Sequence, residues 1–186
     1  MSTSYRNKNP MIKGMFVNSH INLLREKKGE DAIVRLESEY GDKLEFNAFA
    51  DIPIARDKAI LRHVLKALKD TTSASVKTEM LNTGSLSFRD FVTTVYGKMI
   101  LHVLDKDFKA AVLAYPHIAV HIYKNIHFYA QDLGEKAVRI TIENSGYDMD
   151  HFYGFFTEWM AFWEYTGEVE AVSIREGIYE YTMRWQ

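Results

Sequence analysis

Two runs in the last third of the chain, "IHFYAQDL" at 126–133 and "KAVRITIEN" at 136–144, change side at every residue. Ile126, Phe128 and Ala130 fall on one side, then Val138, Ile140 and Ile142, with Arg139, Thr141 and Glu143 opposite. A period of two is the signature of a half-buried strand and is incompatible with a helix. Gly134 between the runs predicts a hairpin. A second pair, "EVEAVSIRE" and "IYEYTMRW", flanks Gly177, and Tyr179, Tyr181, Met183 and Trp185 alternate with polar residues. Between the pairs lies "HFYGFFTEWMAFWEYT", a helix with Asp148 or Asp150 as cap and Gly167 as stop. The ending therefore reads β-β-α-β-β, an antiparallel four-stranded sheet with helices on one face and the other face partly wet.

The preceding two thirds carry helical periodicity. Residues 12–29 place Phe16, Ile21, Leu23 and Leu24 at helical spacing, with Asn18 or Ser19 as N-cap and Gly29 as stop. "EDAIVRLESEY" turns Ile33, Val34, Leu36 and Tyr40 inward, and Gly41 closes it. "PIARDKAILRHVLKALK" starts at Pro53 and carries a stripe of Ile54, Ile60, Leu61, Val64, Leu65 and Leu68. The polar stretch at 70–87 reads as a connector with room for a short helix. Residues 88–104 form a further helix, and "DKDFKAAVLAYPHIAVHIYK" another, capped by Asp105 or Asp107 and kinked or restarted at Pro116. The fold expected is α+β, a helical N-terminal two thirds followed by the β-β-α-β-β sheet.

A chain of 186 residues is long enough for one well-buried core. Residues 1–10 read as a flexible tail and 11–186 as a single α+β ligand-binding-like domain. With no cysteine, disulfides, thiolate nucleophiles and Cys-based metal sites are excluded. The polar N-terminus and the absence of disulfides lead to the expectation of a cytoplasmic protein. A net charge of −2 offers no basic face for nucleic acid, and no apolar run reaches the ~18 residues of a membrane span.

Four groups of side chains invite a functional reading. His117 and His121 stand one helical turn apart, but no carboxylate lies three or four residues from either, so packing or hydrogen bonding is preferred to metal ligation. His102 is the remaining candidate for an axial haem ligand. Glu158 sits between aromatic residues, yet Gly154, Thr157, Glu158, Ala161 and Glu164 share a narrow stripe read as the solvent side. The aromatic face of the same helix, Phe152 to Trp163, is wider than one sheet needs. It serves as core, as a pocket wall or as a homodimer surface, with Phe156 and Trp163 as interface candidates. No phosphate loop, Ser-His-Asp order or zinc-protease motif is visible, so the chain reads as a non-enzyme.

"KGMFVNSHINLLREKKGEDAI" resembles the opening of haem nitric-oxide/oxygen-binding domains. In order and spacing, "FVTTVYGKMILHVLDKDFKAAVLAYPHIAVHIYKN", the hairpin, the aromatic helix and the terminal "YEYTMRW" are similar to a paralogous delta-proteobacterial (myxobacterial-type) family. That family in turn resembles the haem NO-binding, 4-vinyl-reductase and TRAPP-like ligand-binding superfamily. The resemblance implies a sensory or adaptor domain that binds a small hydrophobic ligand and works with other signalling or regulatory proteins, as a monomer or a homodimer. Pocket candidates are Phe16, His20, Leu24, Leu104, Tyr115 and Trp159, His20 falling where the family keeps a bulky distal residue. Haem is expected to be lost. The family's proximal histidine aligns near Phe108 and Lys109, its Tyr-x-Ser-x-Arg motif is missing from "RITIENSGYD", and the TRAPP-type acyl site needs a cysteine. A haem-binding gas sensor would have to use His102, His117 or His121.

Overall fold

The computed structural model describes residues 8–68, 76–94, 97–98, 101 and 107–186. The elements run β1 (Met11–Lys13), α1 (Gly14–Lys28), α2 (Glu30–Tyr40), β2 (Asp51–Pro53), α3 (Ile54–Leu68) and α4 (Val76–Thr93). Then come α5 (Phe108–Ile122), β3 (Tyr123–Lys124), β4 (His127–Gly134), β5 (Ala137–Glu143), α6 (Met149–Phe162), β6 (Gly167–Arg175) and β7 (Ile178–Trp185). The α+β expectation holds, helices first and the β-β-α-β-β unit last.

The large sheet has the order β4-β5-β7-β6 and is antiparallel throughout. Alternation sets its faces: Phe128, Val138, Ile140, Ile142, Tyr181 and Met183 are buried, whereas Tyr129, Val172 and Ile174 on the other face are exposed. A small sheet, β2-β1-β3, was not foreseen because its strands are two or three residues long. It ties the first described residues to the end of α5. Asp51 locks it by accepting bonds from Lys13 and Lys124, each at 2.5 Å. The Lys124 and Lys13 bonds hold the Asp51 carboxyl below the usual carboxylate range.

Three local expectations change. Asn18 is no N-cap, because α1 begins at Gly14. Instead Asn18 clamps the loop after α2, donating to the Phe46 carbonyl at 2.7 Å and accepting from the Phe46 N–H at 3.1 Å. The polar stretch at 70–87 is largely helix, since α4 starts at Val76. Gly154 is buried and not on a solvent stripe: a Cβ there would strike the Leu81 backbone, and one on Gly84 would strike the His151 carbonyl. These two glycines let α4 and α6 pack backbone against backbone, an approach no larger residue allows. Asp107 caps α5 by accepting from the Ala110 N–H at 3.2 Å, and the helix runs through Pro116 without a break.

A candidate ligand site built around His20

Where the helical layer meets α5 and α6, aromatic rings line a partly open cavity with about 20 Å³ of free volume, room for about one water. Ile12, Phe16 and His20 form one wall, Ser87 and Phe91 of α4 a second, and Tyr115, Ile122, Tyr123, Tyr147 and Phe155 the rest. Phe16 and Phe91 stack with centroids 6.1 Å apart and close one side. Helical spacing explains the wall: Phe16 and His20 are one turn apart on α1, as are Ser87 and Phe91 on α4.

Behind His20 lies a buried polar cluster drawn from four parts of the chain. The His20 ring is within 2.6 Å of Asp90 Oδ2 through Nδ1, and its Nε2 stands 3.8 Å from Asp57 Oδ1, beyond hydrogen-bond reach. Asp57 Oδ2 accepts the Tyr147 hydroxyl at 2.5 Å, and the other oxygen of Asp57 accepts no hydrogen bond. Tyr147 stacks on His151 at 4.0 Å, and His151 Nδ1 lies 2.9 Å from Thr83 Oγ1. His20, Asp57, Asp90, Thr83 and His151 are all buried.

The environment separates the two histidines. Burial alone would lower the His20 imidazolium, but the Asp90 bond and the charges of Asp57 and Asp90 outweigh it and raise the pKa. Burial likewise raises the Asp57 carboxyl, assisted by Asp90 and opposed by the His20 charge and the Tyr147 bond. Among the described residues no carboxylate pairs with His151; burial, then His20, then Lys58 lower it to about 3. Burial, with the Asp57 charge, holds the Tyr147 phenol protonated. The same cluster therefore favours the protonated form of His20 and the neutral form of His151.

Of the pocket residues expected from sequence, Phe16, His20 and Tyr115 line the cavity. Trp159 packs one layer back, its ring 5.3 Å from that of Tyr115, and Leu24 is buried core away from the wall. Leu104 and His102 lie outside the described residues. His117 and His121 are exposed on the outward side of α5, away from the cavity. Among the described residues no three His, Asp or Glu side chains converge on a metal site. Glu158 is held by Arg89 at 2.6 and 3.0 Å, a bidentate surface pair. Phe156 is fully buried and offers nothing to a partner, which corrects its reading as an interface residue; Trp163 is half-buried.

Asp57, Asp90, Tyr147 and His151 were missed, although Asp57 and His151 carry a legible signal. Asp57 interrupts the apolar stripe between Ile54 and Ile60–Leu61, and His151 stands one turn before Phe155. A polar residue on an apolar stripe must find a buried partner.

No family model matches this sequence, and no curated protein does. Solved structures match closely in shape. A Cs H-NOX mutant carrying 4-cyano-L-phenylalanine superposes with TM-score 0.69 at 14% identity, over 94% of this chain and 97% of that one. The chain has the H-NOX fold. A T. Tengcongensis H-NOX mutant gives a TM-score of 0.68 at 14% identity, covering 94% of this chain and 98% of the other. An oxygen-binding H-NOX domain related to soluble guanylate cyclases, in its oxygen complex, gives 0.69 at 14% identity over 94% and 95%.

A haem can be tested against the cavity of this H-NOX fold. As packed, the described residues do not fit one. Free volume is about 20 Å³ and, among the described residues, the one imidazole on the wall is tied to Asp90 and no Arg or Lys lines the space to receive propionates. Phe108, near which the resemblance leads one to expect the haem-ligating histidine, is buried between Tyr165, 5.1 Å away, and Trp185, 5.0 Å away.

Proposed function

We propose that this chain is a non-enzymatic sensory or adaptor domain, one unit over 11–186, which binds a small apolar ligand in the aromatic cavity and signals to other regulatory proteins in the cytoplasm. The observation that carries this reading is the partly open, ring-walled space with the His20–Asp90 pair at its edge. Ligand sites are concave, mostly apolar and supplied with a few convergent polar groups, and this space has that character. No helix among the described residues is long and apolar enough to cross a membrane.

In this reading haem has been given up and the rings have closed over its place. Kinship with the delta-proteobacterial family rests on the order of sequence motifs. Ligand entry would displace the Phe16 and Phe91 rings that close one side, and that displacement is the signal. Protein expressed with haem supplied is expected to show no stoichiometric Soret band and a native mass without haem. A stoichiometric band lost in His102→Ala or His117→Ala would overturn the haem-free reading.

A second reading, a ligand-free homodimer, is favoured by Phe162, which is 51% exposed at the end of α6 beside Trp163. Light scattering of Trp163→Glu tests it; a wild type that is already monomeric removes it.

A further inference from the structure

Taking the aromatic cavity as the ligand site proposed above, we infer that His20 is a proton-operated latch on it. Protonated, it holds α1 against α3 and α4 and keeps the Phe16–Phe91 ring pair closed; on losing its proton it lets that pair part. The placement of four side chains carries the inference. Phe16 and His20 lie one turn apart on α1, and Asp90 and Phe91 are consecutive on α4. The polar contact, 2.6 Å from His20 Nδ1 to Asp90 Oδ2, therefore sits beside the aromatic contact, 6.1 Å between centroids, that closes one side of the cavity. Loosening the first loosens the second. With about 20 Å³ free, the closed cavity holds about one water, so any larger apolar guest requires the rings to part.

The number of N–H groups on the ring sets the latch. His20, Asp57 and Asp90 are 2%, 0% and 5% exposed, so water does not substitute for a lost contact among them. An imidazolium has two donors, enough to serve Asp90 through Nδ1 and to aim Nε2 at Asp57 Oδ1, 3.8 Å away, the oxygen that accepts no hydrogen bond. A neutral ring has one. With that one kept on Nδ1, the Nε2 lone pair faces the Asp57 oxygen, acceptor against acceptor, and the positive charge beside both carboxylates is gone. No second cation takes its place among the described groups around the ring. Tyr115 of α5, Tyr123 of β3 and Tyr147 before α6 share the cavity, His151 of α6 lies against Tyr147, and Lys58 of α3 pairs with Asp148 at 2.9 Å. Burial lowers the imidazole pKa, but the Asp90 bond and the charges of Asp57 and Asp90 raise it overall above 6.5. The latch is therefore shut below pH 6.5 and opens as pH rises through the folded value. The cavity is partly open and two of its wall residues, Ser87 and Phe91, are half-buried, which gives the proton a route that needs no unfolding.

NMR of protein labelled on its histidine and phenylalanine rings, titrated from about pH 6 to 10, tests the latch. In wild type, His20 is expected to titrate above pH 6.5, with the Overhauser contacts between the Phe16 and Phe91 rings fading in the same step. His20→Gln is expected to remove that step. Asp57→Asn, whose amide donates to a neutral Nε2 and brings no charge, is expected to keep the ring contacts to the alkaline end. Xenon, an apolar probe larger than the closed space, is expected to shift the Phe16 and Tyr115 rings at least about twofold more above the His20 midpoint than below it. His20 keeping its proton throughout, His20 titrating with the ring contacts unchanged, or contacts fading at the same pH in His20→Gln or Asp57→Asn would each overturn the latch. Contacts that fade with His20 while xenon stays silent at every pH would uphold the latch and overturn the apolar-ligand reading.

Discussion

His20 and Asp90 stand seventy residues apart in sequence and 2.6 Å apart in space, joining α1 to α4 through a buried imidazole–carboxylate pair. Asp57 and Tyr147 extend the link to α3 and to the approach to α6, so one cluster holds the helical layer against the sheet layer beside the cavity.

Removing one partner of that pair strands the other. Asp90→Ala is expected to cost about 3–5 kcal/mol in urea unfolding. A triple apolar replacement of His20, Asp57 and Asp90 should cost far less than the sum of the single changes, because no charge is left buried. Additive losses would show that the three do not act as a unit.

The two buried histidines should shape stability in opposite pH ranges. His151, lowered to about 3 from 6.5, binds fewer protons folded than unfolded, so stability rises with pH between those values. His20 is raised above 6.5; its contribution is complete below pH 6.5 and is lost as pH rises through the folded value. Asp57, raised above 3.8, also loses stability as pH rises from 3.8 to its folded value, which partly offsets the His151 limb. Urea midpoints across pH 4–9 should therefore fall on the alkaline side in wild type and flatten there in His20→Gln, with the acid limb flattened in His151→Phe.

The backbone contact between α4 and α6 tolerates no side chain. Gly84→Ala and Gly154→Ala each drive a methyl into main-chain atoms and should cost at least about 1–3 kcal/mol. Thr157→Ala, on the exposed side of α6, serves as control and should stay within about 0.5 kcal/mol. Thermal unfolding of the three variants checks this.

Asn18 should matter through the loop it holds. Asn18→Ala removes both bonds to Phe46 and leaves that segment's N–H and carbonyl without their side-chain partner. A loss of about 1–2 kcal/mol is expected, with faster amide exchange at Phe46.

The C-terminal sheet was legible because its information is local. Val138, Ile140 and Ile142 alternate with polar neighbours, and the paired run ending at Trp185 does the same, so faces and hairpins follow from parity. The start of α4 was not legible. Its Thr, Ser and Gly content resembles a loop, and only the facing Gly154 explains why Gly84 belongs in a helix. The cavity was half legible: Phe16, His20 and Tyr115 came through the resemblance, while Phe91, Tyr123 and Tyr147 entered with the packing.

By itself, the sequence determined the C-terminal β-β-α-β-β order, the inward face of each of its strands and the absence of cysteine chemistry, since all of these are properties of neighbours along the chain. Tertiary structure decided which polar residues were buried together. Asp57 shows in the sequence as a polar break in an apolar stripe, without its partner, and Asp90 reads like any residue before a phenylalanine; only the crossing of α1, α3 and α4 sets both around His20. The same crossing turned an expected ligand pocket into a ring-filled space, because the size of a cavity depends on side chains far apart in sequence.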